Sequence, residues 1–180
     1  MNICVFCGSG TGNQPVYAQA ARELGTEMVR HGHTLIYGGG NVGLMGIVAD
    51  AVLEHRGEVI GVIPDFLLKR EVGHRGVTRL EVVQTMHERK RRMADLADAF
   101  IAMPGGWGTL DELAEILTWG QLGLIHQPVG LLNTQHFFDP LLQQMQHMVD
   151  AGFLRGENLA RLLACDEPQQ LIESIIPRQG

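Results

Sequence analysis

Apolar positions in this 180-residue chain come as short unbroken runs separated by longer amphipathic stretches. The runs predict strands over 2–7 (NICVFC), 33–38 (HTLIYG), 58–63 (EVIGVI), 80–85 (LEVVQT), 99–103 (AFIAM) and 128–133 (PVGLLN). Between them, positions repeating every three to four residues predict helices near 14–31, 43–56, 86–98, 108–123, 136–151 and 167–176. Strands that are apolar throughout, with no in–out alternation, suit a parallel sheet covered on both faces. Strand–helix alternation at this spacing builds right-handed crossovers, so the expectation is α/β: a doubly wound parallel sheet with helices on both faces, one domain over 1–180. The stretch 65–79, DFLLKREVGHRGVTR, has no clear period and is expected to be a loop overhanging a site.

Composition changes this picture little. With 45% hydrophobic and 19% charged residues, the chain reads as an ordinary globular one. A net charge of −6 argues against a nucleic-acid polymer as partner, which would need a broad basic surface. No apolar run approaches the ~20 residues that span a bilayer. The opening MNICVFCGSG reads as a first strand, not as a targeting segment, and three cysteines fit a reducing compartment. The expected location is cytoplasmic.

Twenty-three glycines cluster where they matter, in turns after three predicted strands: CGSGTGN, GGGNVGLMG and PGGWGT. Such turns lie on the carboxyl edge of a parallel sheet, where ligands bind. There the backbone N–H groups and a helix N-terminus favour an anion. Ser9, Gly39, Gly40, Gly105, Gly106 and Gly108 are therefore expected around a phosphate-bearing ligand. Residues 38–43 also satisfy G-x-G-x-x-G, with Asp65 near the place of a ribose-binding acid. The match follows the second strand rather than the first, so a dinucleotide cofactor is not favoured.

Two helices carry the candidate chemistry. In MHERKRRMADLAD (86–98) Met86, Met93 and Ala97 share one side, and Arg89 and Lys90 straddle it. Arg91 and Arg92 read as a solvated run, but cations on a core-directed side must find an anion, either a carboxylate or a ligand phosphate. In GTLDELAEILTWG, Thr109 and Glu112 have capping-box spacing. Glu112 also sits at the mouth of a glycine turn, where a carboxylate serves as a base or stabilises a developing cation. Spacing alone does not separate these readings. Cys4 and Cys7 lack a second pair and fall on opposite strand faces, so no metal site is expected. Ser9 lacks a nucleophile elbow, and a hydrogen-bonding role is the better expectation.

The segment PGGWGTLDE (104–112) resembles the P-G-G-x-G-T-x-x-E signature of the Lonely Guy family, the cytokinin riboside 5′-monophosphate phosphoribohydrolases. MHERK (86–90) resembles its M-x-x-R-K element, and CGSG, YGGGNVGLMG, TWGQLG and PVGLLN fit the family pattern, so the likeness covers roughly 2–155. The resemblance implies a Rossmann-like homodimer, without a cofactor or membrane, that hydrolyses the N-glycosidic bond of an N6-modified adenosine monophosphate or AMP. Free base and ribose 5-phosphate would be released. It implies Arg89 and Glu112 as the catalytic pair. It also implies that Lys90, the run Gly106 to Glu112 with Trp107, Gly108 and Thr109, Thr118, and Glu71 line the substrate site. Lys69 replaces the proline usual before Arg-Glu in the family, and Trp107 stands where tyrosine is common. Related sequences have been labelled lysine decarboxylases. That chemistry needs a Schiff-base lysine, and Lys69 and Lys90, the two lysines of the chain, follow no cofactor motif. The rival expectation is a non-catalytic nucleotide or cofactor carrier on the same fold.

Overall fold

In the computed structural model, residues 1–70 and 73–176 are described. The strands are β1 (Asn2–Phe6), β2 (Thr34–Tyr37), β3 (Val59–Pro64), β4 (Arg79–Val83), β5 (Ala99–Ala102), β6 (Val129–Leu132) and β7 (Leu162–Cys165). They form one seven-stranded sheet in the order β4-β3-β2-β1-β5-β6-β7, every neighbouring pair parallel. The helices are α1 (Pro15–Arg30), α2 (Gly43–Glu54), α3 (Asp65–Arg70), α4 (Met86–Leu96), α5 (Trp107–Gln121), α6 (Asp139–Asp150), α7 (Gly156–Leu159) and α8 (Pro168–Ile175). No helix among the described residues is long and apolar enough to cross a membrane.

The two-sided burial expected of the inner strands is present. Successive residues of β1 serve opposite faces: Ile3 and Val5 pack with α1, α2 and α8, whereas Cys4 and Phe6 pack with α4 and α5. Cys4 and Cys7 accordingly fall in different core layers, and both are free thiols. The edge strands β4 and β7 are only partly buried. Strand order reverses beside β1, since the chain winds outward through β2, β3 and β4 and then returns to place β5 on the other side. This is the topological switch point, where a crevice opens between the carboxyl ends of β1 and β5.

Three expectations need correction. The stretch 65–79 is not one loop: α3 occupies its start, with Asp65 in the first turn and a 2.6 Å Asp65–Lys69 ion pair one turn on, and β4 begins at Arg79. A helix this short gives too few periodic positions to be seen. The helix predicted over 136–151 begins at Asp139, after a 3-10 turn at Thr134–His136 in which Gln135 and His136 have φ of 54° and 57°. Asn133 fixes that turn, its Oδ1 accepting from the Phe138 N–H and its amide donating to Asp139. Two elements, α7 (GENL) and β7 (LLAC), were also not predicted; β7 is as short and apolar as β6, but lies at the sheet edge, where it is only partly buried.

Candidate active site

All three glycine turns meet at the switch point, and they lock into one another through the backbone. The Gly8 N–H donates to Pro104 O at 3.1 Å, and the Leu44 N–H to Gly8 O at 3.0 Å. Gly43, at φ +60°, lies so close to the Ser9 carbonyl that no side chain fits. Gly105 has the same constraint against Thr109 and Gly8, and Gly39 packs on Ile63 and Leu80. These glycines let turn pack on turn. Gly106 and Gly108 differ, because a Cβ at either position would meet nothing within 4 Å. Protein packing does not explain their lack of a side chain.

The interlocked turns line a cleft of about 240 Å³. Its walls are Ser9 and Gly38 from the first two turns and Gly106, Trp107, Gly108 and Thr109 from the third, with Met45 of α2 and Leu67 of α3; Arg89 and Glu112 also line it. A second hollow of about 300 Å³ adjoins it across Gly8, Ser9 and Gly106, bounded by Tyr17 and Phe137. A larger cavity, about 700 Å³, opens at the opposite sheet edge among α5, β6, β7 and α8, and its lining contains no carboxylate. Volume therefore does not locate the chemistry; the switch-point cleft does.

Helix α5 shows why spacing misled. Its N-cap is Gly106, with no side-chain cap, so Thr109 lies inside the first turn and the Thr109–Glu112 capping box does not form. The N–H groups of that turn thus end at the cleft without a side-chain acceptor, a ready site for an anion. A box of that kind is on α4 instead, reaching one residue further back: Thr85 Oγ1 accepts from the Glu88 N–H, and Glu88 Oε2 accepts from the N–H of Gln84, the residue before the cap, at 2.8 Å. That box fixes the start of the helix carrying Arg89, which sits one turn later.

Arg89 is buried and short of acceptors. Its Nη2 donates to Gly38 O at 3.3 Å and stands 3.8 Å from Glu112 Oε1, while Nε has no partner among the described residues. Gly38 is required here, since a Cβ would collide with the guanidinium. Burial pushes the Glu112 carboxyl up to about 7, opposed by the charge of Arg89 and assisted by Asp111. Burial also raises the neighbouring Cys7 and Cys4 thiols well above their ordinary value, so both are neutral near pH 7. A guanidinium with unused N–H groups therefore faces a carboxyl poised near neutrality, on the floor of a glycine-lined cleft.

Of the other expected residues, Gly39 and Gly40 lie behind the cleft, the latter bridged to Gly73. Gly105 lines the adjoining hollow. Trp107 stands at the mouth, 89% exposed. Thr118 is on the exposed side of α5 and donates to Ala114 O at 2.7 Å. Lys90 turns away to Asp111 at 3.0 Å and Glu115 at 3.2 Å. Glu71 lies outside the described residues. Sequence reasoning missed Gly38, Met45, Leu67 and Cys7; the adjacency of Gly38 to the second turn was a usable signal, and the others show no pattern along the chain. Among the described residues no group of three metal-ligating side chains converges.

Fold and cleft together define a Rossmann-like α/β protein whose switch-point pocket holds a buried Arg–Glu pair. The family model described as "Possible lysine decarboxylase" matches residues 45–175. The cytokinin riboside 5′-monophosphate phosphoribohydrolase LOG of Oryza sativa subsp. japonica is 48% identical over 170 residues, 94% of this chain and 70% of its own. LOG1 of Arabidopsis thaliana, which carries the same enzyme name, is 45% identical over 179 residues, 98% of this chain and 84% of its own. The chain belongs to the Lonely Guy family. Among solved structures, the molybdenum cofactor binding protein of Rippkaea orientalis superimposes with a TM-score of 0.73 at 26% identity, covering 98% of this chain and 97% of that one. A molybdenum cofactor carrier protein from Chlamydomonas reinhardtii shares the fold, with a TM-score of 0.70 at 24% identity over 97% and 94% of the two chains.

Proposed function

We propose that this protein is a nucleoside 5′-monophosphate phosphoribohydrolase acting on cytokinin riboside 5′-monophosphate and on AMP. The observation that carries the reading is the buried Arg89–Glu112 pair on the floor of the cleft, 3.8 Å apart, with Arg89 Nε unpartnered among the described residues. In the reaction the bond from C1′ to the base nitrogen breaks and its electron pair leaves with the base. Water adds to C1′ and its proton ends on the departing base, leaving ribose 5-phosphate. Glu112 as carboxylate stabilises the oxocarbenium-like ribose and orients the water. Arg89 uses its free N–H groups on substrate oxygens and holds Glu112 in place. The phosphate sits on the first-turn N–H groups of α5, with Gly106 and Gly108 open to it, Ser9 and Thr109 beside it, and Trp107 flanking the mouth.

The relatives named as phosphoribohydrolases support the hydrolase, and the likeness to cofactor carriers supports the alternative of binding without turnover. Decarboxylation draws no support from the lysines. Lys69 is an exposed partner of Asp65. Burial pulls the Lys90 ammonium down, but Asp111 and Glu115 outweigh it and hold it raised, the reverse of what a Schiff-base nucleophile needs. Exposed Leu122, Leu124, Met148 and Phe153 suit a homodimer, to be checked by light scattering, and the free cysteines suit the cytoplasm.

The decisive experiment is release of free base from AMP and from isopentenyladenosine monophosphate, wild type beside Glu112→Gln. Release by the wild type that falls by about a hundredfold or more in the variant is the expected result. Tight nucleotide binding without release by the wild type replaces the hydrolase with the carrier.

A further inference from the structure

The lysine next to Arg89 is engaged by carboxylates of the neighbouring helix. Helices α4 and α5 are joined by two adjacent ionic rungs. One is Arg89 to Glu112, inside the cleft. The other is Lys90, whose Nζ lies between Asp111 Oδ2 at 3.0 Å and Glu115 Oε2 at 3.2 Å, and which is not among the residues lining the cleft. The Lys90 side chain is only 11% exposed, while Asp111 is 61% and Glu115 25% exposed, so the rung has its cation covered and its acids towards solvent. Asp111, Glu112 and Glu115 crowd three carboxylates into little more than one turn of α5. Like charges at that spacing oppose one another's ionisation and the helix itself. One buried ammonium placed between the outer two relieves both effects.

Resting on the reading of Glu112 as the acting carboxylate, we propose that Lys90 is a positioning residue: it does not touch the substrate, but gathers Asp111 and Glu115 on α5 and so sets the orientation and charge of Glu112. The groups facing Glu112 are consistent with this. Arg89 and Lys90 on α4 favour its ionised form, Asp111 and Glu115 on α5 oppose it, and the β1 thiols Cys4 and Cys7 are neutral. Removing the Lys90 charge leaves Arg89 as the one cation among these groups to balance three carboxylates. Glu112 then holds its proton to higher pH. A lysine that gripped a ligand phosphate would behave differently, since its loss would weaken phosphate binding at every pH.

The test compares wild type, Lys90→Met and Lys90→Arg by the pH dependence of kcat/KM and by inhibition with ribose 5-phosphate. Lys90→Met is expected to move the acid limb upward, losing about tenfold at pH 6 while approaching wild-type turnover above pH 9, with inhibitor affinity unchanged. Lys90→Arg keeps the charge and is expected to keep the limb. On an Asp111→Asn, Glu115→Gln background, Lys90→Met is expected to shift the limb far less, because the charges that it balances are gone. An unshifted limb, with or without weaker ribose 5-phosphate binding, overturns the proposal.

A second readout needs no turnover. The stability lost or gained by Glu112→Gln as a function of pH follows Glu112 ionisation directly. Measured with Lys90 and with Lys90→Met, its midpoint is expected to rise in the variant; an unmoved midpoint sinks the positioning role. If the midpoint rises in a protein that releases no base, the Lys90 assignment stands and the hydrolase reading alone fails.

Discussion

Arg89 Nη2 stands 3.8 Å from Glu112 Oε1, with both side chains about nine-tenths buried. The separation exceeds a good charge-assisted hydrogen bond. The fold therefore brings a cation and a carboxyl into a closed space without letting them satisfy each other. Structures tolerate such an arrangement where a third group completes it, and in the proposed function that group is the substrate. Four consequences can be measured.

The first concerns stability. Glu112 titrates near 4.5 when unfolded and near 7 when folded. Between those values the native chain holds a proton that the unfolded chain has lost, so the Glu112 contribution to stability falls as pH rises through that window. Glu112→Gln removes the penalty. Denaturant melts are expected to show the variant more stable than wild type at pH 8, by up to about 3 kcal/mol, and nearly equal to it at pH 4. A variant less stable at pH 8 would mean that Glu112 is held by favourable contacts, contrary to the geometry.

Activity runs in the opposite sense. If the carboxylate form is the working form, kcat/KM rises with pH through about 7 and levels above it. Glu112→Gln abolishes that limb along with the rate. A profile flat from pH 5 to 9 would exclude Glu112 ionisation from the rate.

Two kinds of glycine are expected to separate on substitution. Gly38→Ala drives a methyl group into the Arg89 guanidinium, so Arg89 must move and activity should fall together with stability. Gly106→Ala has open space around it, so the variant should melt within ~0.5 kcal/mol of wild type. It should nevertheless bind ribose 5-phosphate weakly, because the methyl group occupies the ligand's approach. Calorimetry with ribose 5-phosphate beside thermal melts of both variants checks this, and normal binding by Gly106→Ala counts against phosphate at that turn.

The helix caps give a control free of chemistry. Thr85→Ala removes the acceptor for the Glu88 N–H and is expected to cost about 1 kcal/mol in denaturant melts. Thr109→Val, which removes the hydroxyl at a position that caps nothing, has no such N–H bond to lose. Equal losses would restore Thr109 as a cap.

Much of this protein is legible along the chain. Continuous apolar runs mark β1, β2, β3, β5 and β6 because a strand covered on both faces has no polar side to show. The glycine turns mark the carboxyl edge, and PGGWGTLDE with MHERK marks the two helices that carry Glu112 and Arg89. Periodicity also put Arg89 and Lys90 on the inward side of their helix, because side-chain direction follows from residue spacing alone. What spacing leaves open is the partner. Arg89 and Lys90 are neighbours with similar charge, yet one turns to Gly38 and Glu112 inside the cleft and the other to Asp111 and Glu115 outside it. Thr109 and Glu112 have the spacing of a cap and do not form one, because the helix is capped at Gly106, three residues earlier. Which glycines hold turn against turn, and which stand open to a ligand, depends on atoms from three distant segments. Those contacts, and the burial that lifts Glu112 to about 7, exist only once the sheet has assembled, because they depend on distances between elements that sequence order does not encode.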